Sequence, residues 1–217
     1  MRARPISSEH LVEELCDRIA AAPREHRLRV AIDGAPAAEP ERLADALVEP
    51  VRARGREVVR VSAWDFLRPA SLRYEFGRHD PDVFYDDWLD VNALLREVLA
   101  PLDPDGTGKV LPSLWDRERD RATRARYVEV PPGGVVLVDG ALLLGRWLPF
   151  DLTVHLALSS AALARRTGED EAWTLPAYAR YQEEARPADT ADVVVKVDDP
   201  RHPALVTEGG GSDPWTY

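Results

Sequence analysis

Gly34 follows a short apolar run, Leu28 to Ile32 and then Asp33. Five residues further on stand Glu39, Pro40 and Glu41, at the head of an amphipathic helical pattern. A strand, a glycine turn and a helix in this order form the layout that holds phosphate groups, with the pattern G-x-x-x-x-G-K-[ST]. In such a loop free backbone N–H groups and the positive helix end face the anion, a lysine reaches the phosphates, and a hydroxyl holds Mg2+. Gly34 fills the first position, but Glu39, Pro40 and Glu41 stand where Gly, Lys and Ser/Thr are required. Pro40 brings no N–H and suits the first turn of a helix. The two carboxylates favour the helix macrodipole, and each would repel a triphosphate by about 1–4 kcal/mol at ~4 Å. The frame of a phosphate site is present and its chemistry is missing.

The elements that must carry this stretch can be read from periodicity. Leu11, Leu15 and Ile19 recur at helical spacing over Ser8 to Ala22, with Ser7 or Ser8 as cap. Leu28 to Ile32 is a strand, Glu39 to Arg54 a helix closed by Gly55, and Glu57 to Ser62 the next strand, a unit long enough for a parallel crossover. Trp64 to Tyr85 reads as an aromatic, charged loop over a site, and Asp87 to Leu99 as a helix. Lys109 to Trp115 and Arg126 to Val130 can pair as a hairpin, and Val135 to Asp139 is an apolar strand of the buried parallel kind. Thr153 to Leu158 and Val193 to Val197 add strands; Ser159 to Thr167 and Leu175 to Ala185 add helices. The alternation predicts an α/β fold with a mostly parallel central sheet flanked by helices in three layers, plus a small hairpin and lid region. A single domain over residues 1–206 and a flexible tail over 207–217, with Gly209 to Gly211, complete the expected organisation.

Composition narrows the function. The 217 residues fit one domain, with 45% hydrophobic and 30% charged residues, enough for a sizeable core. A formal charge of −10 argues against nucleic acid or an anionic membrane as partner, since both need a basic face. The one cysteine, Cys16, excludes an internal disulfide and a cysteine metal cage. No apolar run suits a signal peptide or a membrane span, so the expected location is cytoplasmic. Of the five histidines, His79 lies in the aromatic loop and His155 in a strand, and neither has a partner at metal-ligand spacing.

The order of motifs resembles the uridine kinase-like family of P-loop NTPases, in its actinobacterial form. The residues that carry the resemblance are Ile32-Asp-Gly34 with Leu43-Ala44, Ser62-Ala-Trp-Asp-Phe-Leu-Arg-Pro69, and Arg73-Tyr74 with Gly77-Arg78, Pro81, Tyr85, Asp87 and Asp90. Val136-Leu-Val-Asp-Gly140 with Leu143-Leu144, the pair Arg165-Arg166, and Ala191-Asp-Val-Val-Val195 with Asp199-Pro200 continue it. Together these span about residues 28–200.

The resemblance implies transfer of the γ-phosphate of ATP to a nucleoside-like hydroxyl, and with it a set of roles. The catalytic carboxylate falls on Trp64, which cannot take a proton. Asp65 is adjacent, but neighbouring strand residues face opposite ways, so it can substitute only if the strand end is irregular. Asp139 takes the place of the Mg2+-associated carboxylate, and is the metal residue if Mg2+ is bound. Arg68, Asp90, Trp115 and Asp116 correspond to the pocket that receives the nucleoside, and Arg165 and Arg166 to the lid. The lid also loses a positive charge, with Gly168 and Glu169 where a further arginine is implied, and the segment after Tyr181 is short.

The leading expectation is therefore a degenerate nucleoside kinase-like protein, a pseudoenzyme that needs neither ATP nor Mg2+. It would act as a binding, regulatory or partner protein for a nucleoside-like molecule or another protein. The alternative is an active small-molecule kinase or repurposed transferase that uses ATP and Mg2+, with Lys109 or Arg42 in place of the lost lysine. A third expectation is a scaffold or homodimer joined through an apolar patch of Trp64, Trp88 and Trp147.

Overall fold

A computed structural model describes residues 2–207; the expected tail, apart from Thr207, lies outside the described residues. The chain runs β1 (Arg2–Pro5), α1 (Ser8–Ala21), β2 (Leu28–Asp33), α2 (Pro40–Ala53), β3 (Val58–Ser62), α3 (Ala70–Arg73), α4 (Pro81–Asp87) and α5 (Val91–Leu94). Four short strands follow, β4 (Lys109–Val110), β5 (Trp115–Asp116), β6 (Arg121–Ala122) and β7 (Val128–Glu129). Then come β8 (Val135–Gly140), β9 (Leu152–Ala157), α6 (Ser160–Arg166), α7 (Leu175–Glu184), α8 (Pro187–Thr190), β10 (Val193–Lys196) and β11 (Ala204–Thr207).

Seven strands form one sheet in the order β1-β11-β10-β9-β2-β8-β3. The pairs from β10 through β9, β2 and β8 to β3 are parallel, while β11 runs antiparallel to both its neighbours. Every residue of β8 is buried, as its unbroken apolar run requires between β2 and β3. On one face Leu11, Leu15 and Ile19 of α1 and Leu47 and Val51 of α2 pack on Val30, Leu137 and Val154. On the other, Leu94 and Leu99 with Tyr178 and Tyr181 of α7 cover Ala31, Val136 and Val138. The result is three layers.

Register decides what sits at the site. Ser62 and Ile32 are both opposite Asp139, and Asp33 is opposite Gly140 on one side and His155 on the other. Asp33, Ser62, Asp139 and His155 thus stand in a row at the carboxyl edge, where open α/β sheets receive ligands. Gly140 is required there: a Cβ on it would lie 2.6 Å from Cβ of Ala63.

Three differences from the expected elements have local causes. The edge strands β1 and β11 were not foreseen, because four-residue segments at the chain's margins carry too little period to read. The stretch from Trp64 to Tyr85 is not a plain loop, since it holds α3, most of α4 and a 3-10 turn over Ala63–Phe66. The expected helix from Asp87 to Leu99 is interrupted. Asp80 caps α4, Leu89 bridges to Leu67, and Asp90 caps α5, which continues as a π turn over Leu95–Leu99. The hairpin forms as two nested pairs, β4 with β7 and β5 with β6.

Candidate functional site

The loop after β2 turns sharply into α2 and bonds several of its own N–H groups inward. Gly34 N–H donates to the carbonyl of Gly140 at 2.9 Å, which ties the loop's start to β8. Pro36–Ala38 then forms a 3-10 turn in which Ala38 and Glu39 donate their N–H groups to Ala35 and Pro36, at 2.7 and 2.9 Å. Glu39 adopts φ 57° and ψ 51°, the left-handed conformation that favours glycine. Pro40 opens α2 without an N–H to offer, and no side chain caps that end. The N–H groups of residues 38 and 39 are thus bonded inward, and the prolines at 36 and 40 have none.

Asp139 at the end of β8 is 1% exposed and does not stand free. Arg60, two residues before Ser62 on the same face of β3, places Nη2 2.5 Å from Oδ1 of Asp139. Its other terminal nitrogen pairs with Asp45 on α2. Ser62 Oγ lies 3.5 Å from Oδ2. Burial pushes the Asp139 carboxyl above the usual range, with Arg60 pulling it back.

Beyond Ser62 the strand ends, and the 3-10 turn of Ala63–Phe66 replaces the alternation that would have turned Trp64 and Asp65 apart. Both line the same chamber, a cavity of about 550 Å3 shared with Glu41, Arg60, Asp116 and Asp139. Burial raises the Asp65 carboxyl; Ser113 and Arg117 oppose the shift, and Asp139 and Asp116 reinforce it. Trp64 is also a wall of a second cavity of about 550 Å3, bounded by the loop at Ala35–Ala37 and by Phe84, Trp88, Arg166 and Tyr178. Its indole stacks on Phe84, centroids 6.4 Å apart and planes 23° apart, and Arg117 covers it at 5.5 Å. One chamber is carboxylate-rich, the other aromatic, and Trp64 divides them.

The remaining sequence candidates separate into two groups. Asp116 lines the acidic chamber, while also accepting the N–H groups of Glu118 and Arg119, which holds its carboxyl below the usual range. Arg166 lines the aromatic chamber and donates to the carbonyl of Val197 at 2.9 Å. Arg68, Asp90, Trp115 and Arg165 line neither. Arg68 pairs with Asp87 at 2.6 Å, Asp90 caps α5, and Trp115 donates to Asp120 at 3.1 Å. The apolar patch expected from three tryptophans is also divided. Trp64 and Trp88 join the cluster around Phe84, whereas Trp147 is 99% exposed and borders a different hollow, with Leu144 and Phe150.

Sequence reasoning did not single out Arg60, Arg117, Tyr178, Tyr181 or His155 as site residues. A clue to Arg60 was present: a lone arginine in an apolar strand, two residues ahead of a serine at the strand end.

No protein-family model and no curated protein matches the sequence. Solved structures do. A possible uridine kinase from Bacillus stearothermophilus superposes with a TM-score of 0.70 at 23% identity, over 86% of this chain and 97% of that one. The two chains share a fold. A candidate fructose transport system kinase from Silicibacter sp. TM1040 matches with a TM-score of 0.57 at 24% identity, over 86% and 95% of the two chains. The YGR205w protein matches at 0.58 and 9% identity, over 92% and 97%. In this chain the loop after β2 has carboxylates and prolines at the head of α2, and the buried carboxylate of Asp139 already has a guanidinium partner.

Proposed function

We propose that this chain is a uridine kinase-like protein that has lost ordinary ATP-dependent phosphotransfer and acts by binding. The observation that carries the reading is the loop: Ala38 and Glu39 direct their N–H groups into a 3-10 turn, Pro36 and Pro40 have none, and Glu39 and Glu41 face the same end of α2. An anion there meets two carboxylates and few donors. The aromatic chamber, with Trp64, Phe84, Trp88 and Tyr178, suits a planar, nucleoside-like molecule, and a partner protein is the other form the binding role can take. Among the described residues no helix is long and apolar enough to cross a membrane; cytoplasmic action is part of the proposal.

Isothermal titration with Mg-ATP tests it. The expected result is no heat of binding; micromolar affinity would overturn the reading. A second reading, an active kinase or repurposed transferase, draws support from Asp65, whose raised carboxyl lines a chamber beside the loop. Neither Arg42 nor Lys109 lines either chamber, and Arg42 is turned toward Glu39 at 3.3 Å. Turnover of nucleosides or related alcohols with ATP or GTP would favour this second reading.

A further inference from the structure

Arg60 has more partners than a strand residue needs. Its two terminal nitrogens engage carboxylates from two other elements, Asp139 of β8 and Asp45 of α2, while its Nε is buried with no partner. The guanidinium is positioned by the acids at its tip and not by a hydrogen bond along its stem. Of these acids Asp45 is largely exposed, but Asp139 is 1% exposed and, among the described residues, is paired with no other cation. A carboxylate so buried requires a positive partner to stay ionised. The remaining acids of the chamber, Glu41, Asp65, Asp116 and Glu118, add to that demand, with Arg117 the other arginine in the lining.

Mg2+ is held in proteins through oxygen alone, by one or two carboxylates and several waters. At this edge of the sheet Oδ1 of Asp139, the buried oxygen such an ion would use, is held by Arg60, whose other terminal nitrogen is held in turn by Asp45 of α2. We infer that Arg60 is a tethered cation that takes the place of a divalent ion, so that the acidic chamber is closed to Mg2+ by the chain itself. This rests on the proposed loss of Mg-ATP binding, and extends it: the metal requirement has been replaced from within by a residue of the neighbouring strand.

The test uses the whole chain and Mn2+, whose paramagnetic resonance signal reports the free ion. The wild type should leave the signal unchanged. Arg60→Gln should take up one Mn2+ per chain, its melting temperature should rise with added Mg2+, and both effects should vanish in the double variant Arg60→Gln/Asp139→Asn. A wild type that binds Mn2+ and loses it on Asp139→Asn overturns the inference, as does an Arg60→Gln protein with native circular dichroism that takes up none. If Arg60→Gln does not fold in a chelator, it should fold when Mg2+ is supplied. Arg60→Lys, which keeps the charge, should fold without metal and stay blind to Mn2+; uptake by that variant also counts against the inference. Metal-free ATP binding by the wild type would end the functional proposal and leave the role of Arg60 standing, whereas Mn2+ uptake at Asp139 without nucleotide ends the inference alone.

Discussion

Oδ2 of Asp33 lies 2.6 Å from Nδ1 of His155, although 122 residues separate the two in sequence. Parallel pairing of β2 with β9 puts them side by side, and both are almost fully buried. Asp33 also accepts the N–H of Leu143 at 2.9 Å and the hydroxyl of Tyr181 at 3.0 Å, while the Tyr181 oxygen accepts the N–H of Leu144 at 3.0 Å. One carboxylate therefore ties the sheet edge to α7 and to the turn after β8. Replacing Asp33 with alanine leaves several buried groups without partners, and stability should fall by about 2–4 kcal/mol. Urea denaturation measures this; a midpoint equal to that of the wild type would mean the network contributes nothing.

Glu39 offers a prediction of opposite sign. A residue other than glycine held in the left-handed region costs on the order of 1–2 kcal/mol, and the side chain gains only an exposed contact with Arg42 in return. Glu39→Gly should raise stability by about 0.5–1 kcal/mol, the strain relief exceeding the extra entropy of a glycine in the unfolded chain. A lower midpoint in thermal denaturation would show that Glu39 has a stabilising contact outweighing its backbone strain.

These two residues mark what could be read from the sequence and what could not. The strand ending in Asp33 and the helix opening at Pro40 were legible from hydrophobic period and proline placement, and the parallel sheet followed from alternation of elements. The reading of Glu39, Pro40 and Glu41 as departures from a phosphate-loop pattern needed only local sequence, because a local motif needs no partner from elsewhere. Contacts that depend on sheet order were not legible. Arg60 meets Asp139 because β3 lies beside β8, and Asp33 meets His155 because β9 lies on the other side of β2. Period also misled at Asp65: the rule that neighbours on a strand face apart fails where the strand gives way to a 3-10 turn.

Asp65 carries a pH signature. Burial raises its carboxyl in the folded chain, so the folded state binds this proton more tightly than the unfolded one. Its contribution to stability is then present below the unfolded carboxylate range and is lost as pH rises through the folded value. At neutral pH the ionised group is a penalty. Asp65→Asn should be at least as stable as the wild type at pH 7, and the difference should shrink toward acid, below about pH 4. Denaturation midpoints across that range decide it; an advantage of the variant that grows toward acid would reverse the sign argued here.

If the loop after β2 is a phosphate loop that has lost its donors, as proposed, restoring its pattern should bring back anion binding and leave Arg60 as the block to Mg2+. Glu39→Gly/Pro40→Lys/Glu41→Ser removes two carboxylates from the head of α2, supplies a lysine and a hydroxyl, and restores an N–H at position 40. Each carboxylate removed relieves about 1–4 kcal/mol of repulsion on a nearby phosphate charge. Because Glu39 already holds the conformation glycine would take, the backbone needs little adjustment. ATP affinity should therefore rise by about tenfold or more, which corresponds to 1.4 kcal/mol or above. Mg2+ should not strengthen that binding, because Arg60 still holds Asp139 at 2.5 Å. Adding Arg60→Gln to the rebuilt loop should make the affinity depend on Mg2+. Calorimetric titration of ATP into both variants, with and without the metal, separates the two effects. If the three-residue change alone yields Mg2+-dependent binding, the guanidinium on Asp139 is no barrier to the ion.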